Sequence, residues 1–214
     1  MPKHALLSPS SAHRWIRCPG SVPLTMDLPN ETSEYAAEGT KAHRFAELAA
    51  KQTFLPKQFT LAEAEELATM KACEPSEMRE AVKTYVDNIA LRCREKPFSF
   101  GLEVSLDLEP ITGEAGARGT ADCVFINRKG TLWIVDFKYG RGVQVFADKN
   151  PQLILYALAF LKAMDPLTAC YVKQVGLLIV QPRIWSVSEW RFPVGDAKNM
   201  EVNFSAAAAG AMHE

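Results

Sequence analysis

Missing from this chain is any apolar run approaching the roughly 20 residues that a membrane-spanning helix requires, so no membrane role is expected. The first residues, Met1 to Leu7, lack the long apolar stretch of a secretory signal, which makes the cytoplasm the expected location. No Cys-x-x-Cys pair occurs among the five cysteines at 18, 73, 93, 123 and 170; an odd, scattered set reads as free thiols rather than a disulfide framework. An excess of charge is absent too: 24 Lys and Arg against 25 Asp and Glu leave a formal net charge of −1. That balance lends nothing to a nucleic-acid reading, although an enzyme needs only a locally basic lining. Neither G-x-G-x-x-G nor a Gly-rich turn followed by Lys-Ser/Thr is present, which argues against a nucleotide-binding fold. Gly140-Arg141-Gly142 lacks that continuation and reads as a mobile basic loop.

What remains is an ordinary globular composition, 48% hydrophobic and 23% charged, long enough at 214 residues to bury a sizeable core. Ser8-Pro9-Ser10-Ser11 opens a short helix, with Ser8 as cap and Pro9 at its first position. Helical patterns follow over 35–52, interrupted or truly started at Gly39-Thr40, and then over 61–69 and 76–94. From Pro97 the texture changes to strands, at 98–106, 120–126 and 131–137. Asn150-Pro151 starts a helix to about Ala163, and the apolar, β-branched run 172–180 and the run 185–192 read as two more strands. Residues 1–96 are thus an α-rich N-terminal part and 97–204 a core integrated with it. Residues 205–214 form an Ala-rich tail, expected to be flexible, frayed or a loose helix. The order implies an α/β fold, a mixed sheet with helices packed on it.

The informative segment runs from Gly119 to Lys138. With Arg128-Lys129-Gly130 as a three-residue hairpin loop and Gly130 left-handed, Ile126 faces Leu132, Val124 faces Ile134 and Asp122 faces Asp136. Apolar partners then match on both faces. Two like charges directly opposite destabilise a hairpin, and a divalent cation is the simplest way to offset them. Carboxylate oxygens suit a hard ion such as magnesium, which keeps positions for water and phosphate. Lys138, two residues past Asp136, shares its face and is placed to orient water or stabilise phosphate charge. Alone, Asp-x-Lys is a common triplet, and strand-end Asp and Lys usually pair with each other. His43 taken alone is a helix-surface residue with Glu47 one turn on.

Five signatures in order, His43, Glu103, Gly119-x-x-Asp122, Asp136-x-Lys138 and Gln152-x-x-x-Tyr156, resemble the RecB-like branch of the PD-(D/E)XK nucleases. More narrowly, Ser8-Pro9-Ser10-Ser11 with Cys18-Pro19, Ala37-Glu38-Gly39-Thr40 and Asp136-Phe137-Lys138-Tyr139-Gly140 look like an uncharacterised group found in phages and prophages. The resemblance spans about residues 8 to 181 and implies a restriction-endonuclease-like core. By it, Asp122, Asp136 and Lys138 are catalytic, and the ion is held by Asp122, Asp136, His43 and the backbone carbonyl of Phe137. Glu103, Gln152 and Tyr156 support the site, with Glu47 the acceptor that fixes the His43 tautomer. Arg141 and Lys149 are the expected DNA-facing cations. An imidazole ligand shifts preference from magnesium toward manganese. Asp136 stands where many members have Glu. Some relatives carry an iron–sulfur cluster, but only Cys170 lies in the final third here, so no cluster is expected.

The expectation is a metal-dependent deoxyribonuclease, an exonuclease or end-processing enzyme of phage recombination or replication. DNA is its partner, with a phage annealing protein and a homo-oligomeric ring both compatible with the reading; a phage-encoded chain would act in the host cytoplasm. The alternative is a catalytically inactive DNA-binding or assembly module that retained the fold.

Overall fold

The computed structural model describes residues 5–26 and 34–213. Ser8 precedes a single turn of 3-10 helix with Pro9 at its first position, which runs into α1 (Ala12–Trp15). After α2 (Ser21–Thr25) comes the long helix α3 (Glu34–Phe54), which passes through Gly39-Thr40 without a break. Next are α4 (Leu61–Cys73) and α5 (Ser76–Cys93). Thr60 and Glu63 close a reciprocal capping box on α4, worth about 1 kcal/mol. Strand β1 (Ser99–Asp107), the single turn α6 (Glu109–Thr112), β2 (Arg118–Ile126) and β3 (Thr131–Phe137) come next. A crossover through α7 (Pro151–Ala163) and α8 (Pro166–Tyr171) leads to β4 (Gln174–Gln181), β5 (Ser186–Pro193) and α9 (Ala197–His213). Pro151 and Pro166 each stand at a first helical position. Asn150 accepts a hydrogen bond from the Leu153 amide, and Asp165 from those of Leu167 and Thr168.

The five strands lie in the order β1-β2-β3-β4-β5, antiparallel except for the parallel pair β3 and β4. The hairpin has the register read from its residues: Ile126 pairs with Leu132, Val124 with Ile134 and Cys123 with Val135. Gly130 is left-handed at φ 75°, and a Cβ there would stand 2.5 Å from the Tyr171 carbonyl, so only glycine fits.

Two apolar cores sandwich the sheet. One joins Val124, Ile126, Leu132 and Ile134 to α7, with Trp15 of α1 and Ala208 of α9. The other joins Cys123, Phe125, Trp133, Val135 and Phe137 to α3, α4 and α5 through Phe45, Leu67 and Tyr85. Each large side chain so enclosed contributes roughly 1.5–3 kcal/mol. The α-rich N-terminal residues therefore do not pack as one unit: α1 lies with α7, and α3 to α5 cover the opposite face. The flexible tail needs a fuller correction. Residues 205–213 belong to α9, with Ala208 and Ala211 buried in the α7-side core, because alanine combines high helix propensity with a close approach.

Candidate active site

Strand alternation fails at one level of the sheet, and the candidate site is built there. On β1, Phe100 and Leu102 face the α3 side while Val104 and Leu106 face the α7 side, although all four have even numbers. On β2, Cys123 faces the α3 side and Ala121 the α7 side. Glu103 and Asp122 sit at the crossing points, and the regular pairing of the strands skips both. Glu103 carries the torsion in left-handed backbone, φ 47°, a conformation that costs a residue with a side chain on the order of 1 kcal/mol. The switch turns Asp122 out of the alternation, so groups from both faces of the sheet approach it.

From the α3 side comes His43. Its Nδ1 lies 3.5 Å from Asp122 Oδ1, and its ring packs edge-on against Phe137 at 5.5 Å. His43, Glu103 and Asp122 each offer a ligand atom within 4.8 Å of the others. Burial lowers the affinity of the His43 imidazole for a proton, but hydrogen bonding to Asp122, then the charges of Asp122, Asp136 and Glu103, outweigh it and leave the pKa raised. Partial enclosure, then the Asp122 charge, pushes the Glu103 carboxyl up to about 7, against the opposing pull of His43. Asp122 Oδ2 accepts a 2.7 Å hydrogen bond from the Phe137 amide. Asp122 is thus anchored by its neighbour strand's backbone through the amide of Phe137.

From the α7 side comes the second set. Asp136 is buried, and burial raises its pKa, followed by the Asp122 charge; Lys138 pulls the other way. Lys138 Nζ stands 3.0 Å from Asp136 Oδ2 and 3.2 Å from Oδ1. Only Oδ1 is aligned for a hydrogen bond, which leaves Oδ2 buried without one. Gln152 Nε2 lies 3.4 Å from both Asp136 Oδ1 and the Tyr156 hydroxyl, and its Oε1 is 3.5 Å from Lys138 Nζ. Tyr156 is buried, which pushes its phenol up to about 12. A Cβ on Gly119 would meet the Tyr156 ring at 2.7 Å and Pro9 at 2.9 Å. That glycine lets α7 and the Pro9 turn close on β2, and so carries Gln152 to the carboxylates.

Other expected residues lie elsewhere. Glu47 does not serve His43: its carboxylate is 2.7 Å from Arg44, whose guanidinium also grips Glu66, and a charged partner on the adjacent turn outcompetes an imidazole. Arg141 is held by Glu77 of α5 at 2.6 Å. Lys149, left-handed at φ 50°, has no ion pair among the described residues. A polar knot went unread in the sequence: Arg183 lies 2.9 Å from Glu38 and 3.3 Å from Glu77, with its guanidinium over the Tyr139 ring. No local signal would have joined these positions, which come from α3, α5 and two loops.

In front of His43 and Glu103 opens a cleft of about 530 Å³, which Gly39, Thr40, Arg44 and Glu47 also line. One imidazole and two carboxylates suit a divalent ion, and Asp136, whose Oδ2 is ion-paired with Lys138 but accepts no hydrogen bond, adds a further carboxylate.

Fold and site define a mixed α/β protein with an acidic, histidine-bearing cleft between α3 and β1. The chain belongs to the family described as Protein of unknown function (DUF2800), which it matches over residues 4–214. It also aligns with a solved structure titled "Crystal structure of SSO0001" over 90% of this chain and 84% of that chain, at 13% identity and a TM-score of 0.29. A likeness that loose carries neither fold nor activity across. No helix of the described residues is long and apolar enough to cross a membrane.

Proposed function

We propose that this chain is a metal-dependent DNA nuclease of the PD-(D/E)XK kind with a restriction-endonuclease-like core, acting as an exonuclease or end-processing enzyme in phage recombination or replication. One observation carries the reading: His43, Glu103, Asp122, Asp136, Lys138 and Gln152, drawn from five elements, converge where the strand faces switch. A purely structural Asp136–Lys138 pair leaves unexplained why a histidine and two further acids are gathered near it.

His43, Glu103 and Asp122 are the residues that would hold the cation, with Asp136 Oδ2 the next donor. A divalent ion, when bound, supplies the positive charge that lowers the pKa of water and polarises phosphate. Lys138 adds a positive charge beside Asp136, where it orients the attacking water and stabilises the charge growing on the scissile phosphate. Gln152, fixed between Tyr156 and Asp136, holds that ammonium in place. Hydrolysis gives hydroxide to phosphorus, breaks one P–O bond and returns a proton to the leaving oxygen.

The test is incubation of the purified chain with labelled single- and double-stranded DNA, with magnesium, manganese or chelator. Cleavage is expected with metal and absent without it. Binding without cleavage in either metal would overturn the nuclease reading in favour of an inactive DNA-binding module. Hydrolysis of nucleotide esters but not polymers would make it a small-molecule phosphodiesterase.

A further inference from the structure

A second concavity, about 380 Å³, lies beside the first turns of α7. In a helix, residues three apart share a face, so Pro151 and Ile154 line this groove while Gln152 is turned toward Asp136. Its walls are apolar and aromatic, with Ile154, Trp190 and Phe204 prominent. Its rim holds His13, Arg17 and Lys149, and no carboxylate lines it. All three rim residues are exposed, and none has a salt bridge or side-chain hydrogen bond among the described residues. By contrast, Arg44, Lys51, Arg92, Arg141, Lys162 and Arg183 are each paired with an acid.

We infer that this groove binds one nucleotide unit of a single strand, its base against Trp190 and Phe204 and its phosphates on Arg17 and Lys149. The inference rests on the nuclease reading for its substrate class but not for its site. Charge complementarity selects a polyanion. The aromatic walls select one that also offers flat π-faces, which unpaired bases do and a duplex or an acidic peptide does not. The groove and the carboxylate site flank the same two turns of α7, so a strand held in one continues toward the other.

The experiment uses the full chain in chelator, where the nuclease reading expects no cleavage, and a fluorescent oligothymidylate followed by anisotropy across a salt series. Arg17→Ala and Lys149→Ala are each expected to weaken binding and to flatten the slope of log K against log salt by about 0.7, one phosphate contact apiece. Both sit on the exposed rim, so neither threatens the fold. Binding is also expected to quench tryptophan emission, and Trp190→Phe to remove that quenching. Unchanged affinity and slope in both alanine variants would overturn the inference. So would equal displacement by poly-glutamate of matched charge, which would mark an acidic-polypeptide site. Because the readout needs no metal, failure of cleavage leaves it intact, and cleavage with unaltered variants sinks the groove alone.

Discussion

Two hollows of the molecule, one between α3 and β1 and the other beside the first turns of α7, have opposite electrostatics. The cleft at His43 gathers Glu103 and Asp122, with Asp136 and Lys138 behind them; the groove at Trp190 gathers unpaired cations and aromatic rings. A polyanion can settle in the second directly. It can approach the first only after something neutralises the carboxylates. The net charge of −1 averages these two surfaces and conceals both. An acidic reaction centre and a basic docking groove are separable demands, and this fold meets them in separate hollows.

The comparison is broken most severely at the carboxylates. Asp136→Ala and Lys138→Ala should each lower metal-dependent cleavage by at least 10³-fold while leaving oligothymidylate binding in chelator unchanged, read by product gels and anisotropy. Wild-type cleavage in either variant removes the proposed chemistry. Next in size, His43→Ala should raise the metal concentration needed for half-maximal cleavage by about 10–100-fold, with partial rescue by excess manganese. An unshifted metal titration would mean that the imidazole is not a ligand. Gly119→Ala pushes a methyl into the Tyr156 ring and Pro9 and should cost about 1–3 kcal/mol in denaturant unfolding. It should harm both the groove and the Asp136–Lys138 pair, because α7 lines the first and carries Gln152 to the second.

The smallest effect is confined to the acidic side. The folded Glu103 carboxyl titrates at about 7, above the roughly 4.3 of an unfolded glutamate. The folded state therefore holds the proton more tightly, so this group favours folding at low pH. That contribution is lost as the pH rises from about 4.5 through 7. In metal-free protein, Glu103→Gln should flatten the fall in stability across that window by about 1 kcal/mol or less, since Glu103 faces solvent. Melting curves at pH 5 and pH 8 check it; identical pH dependence in variant and wild type would show that the crowding is not felt.

Much of the sheet was legible because its signals are local. Gly130 after Arg128-Lys129 defines the turn, and the matched apolar pairs beyond it define the register. Asn150-Pro151 marks the start of α7 because cap and first turn are adjacent in the chain. The sequence-read facing of Asp122 and Asp136 held only as far as Cys123 and Val135, because Asp122 turns to the Phe137 amide instead. Nothing in the residues announces that turn: left-handed backbone is usually signalled by glycine or asparagine, and here a glutamate adopts it. Glu47 was misread for a related reason. Two residues one turn apart invite pairing, but Arg44 is as near to Glu47 as His43 is and carries a full charge. Helix α8 falls between the helix read to about Ala163 and the strand read from 172 and went unread, though Asp165-Pro166 was its start signal. The Glu38–Arg183–Glu77 knot joins residues far apart in the chain, and no periodicity reaches that far.

The crossing of faces on β1 and β2 has a mechanical consequence. Each strand is threaded through both cores, one half anchored among the α3 side chains and the other among those of α7. Loosening either layer must drag on the same two strands, so the layers should melt together instead of peeling apart. Trp15 reports from one core and Trp133 from the other. In proteins retaining one or the other, fluorescence should trace a single coincident unfolding curve.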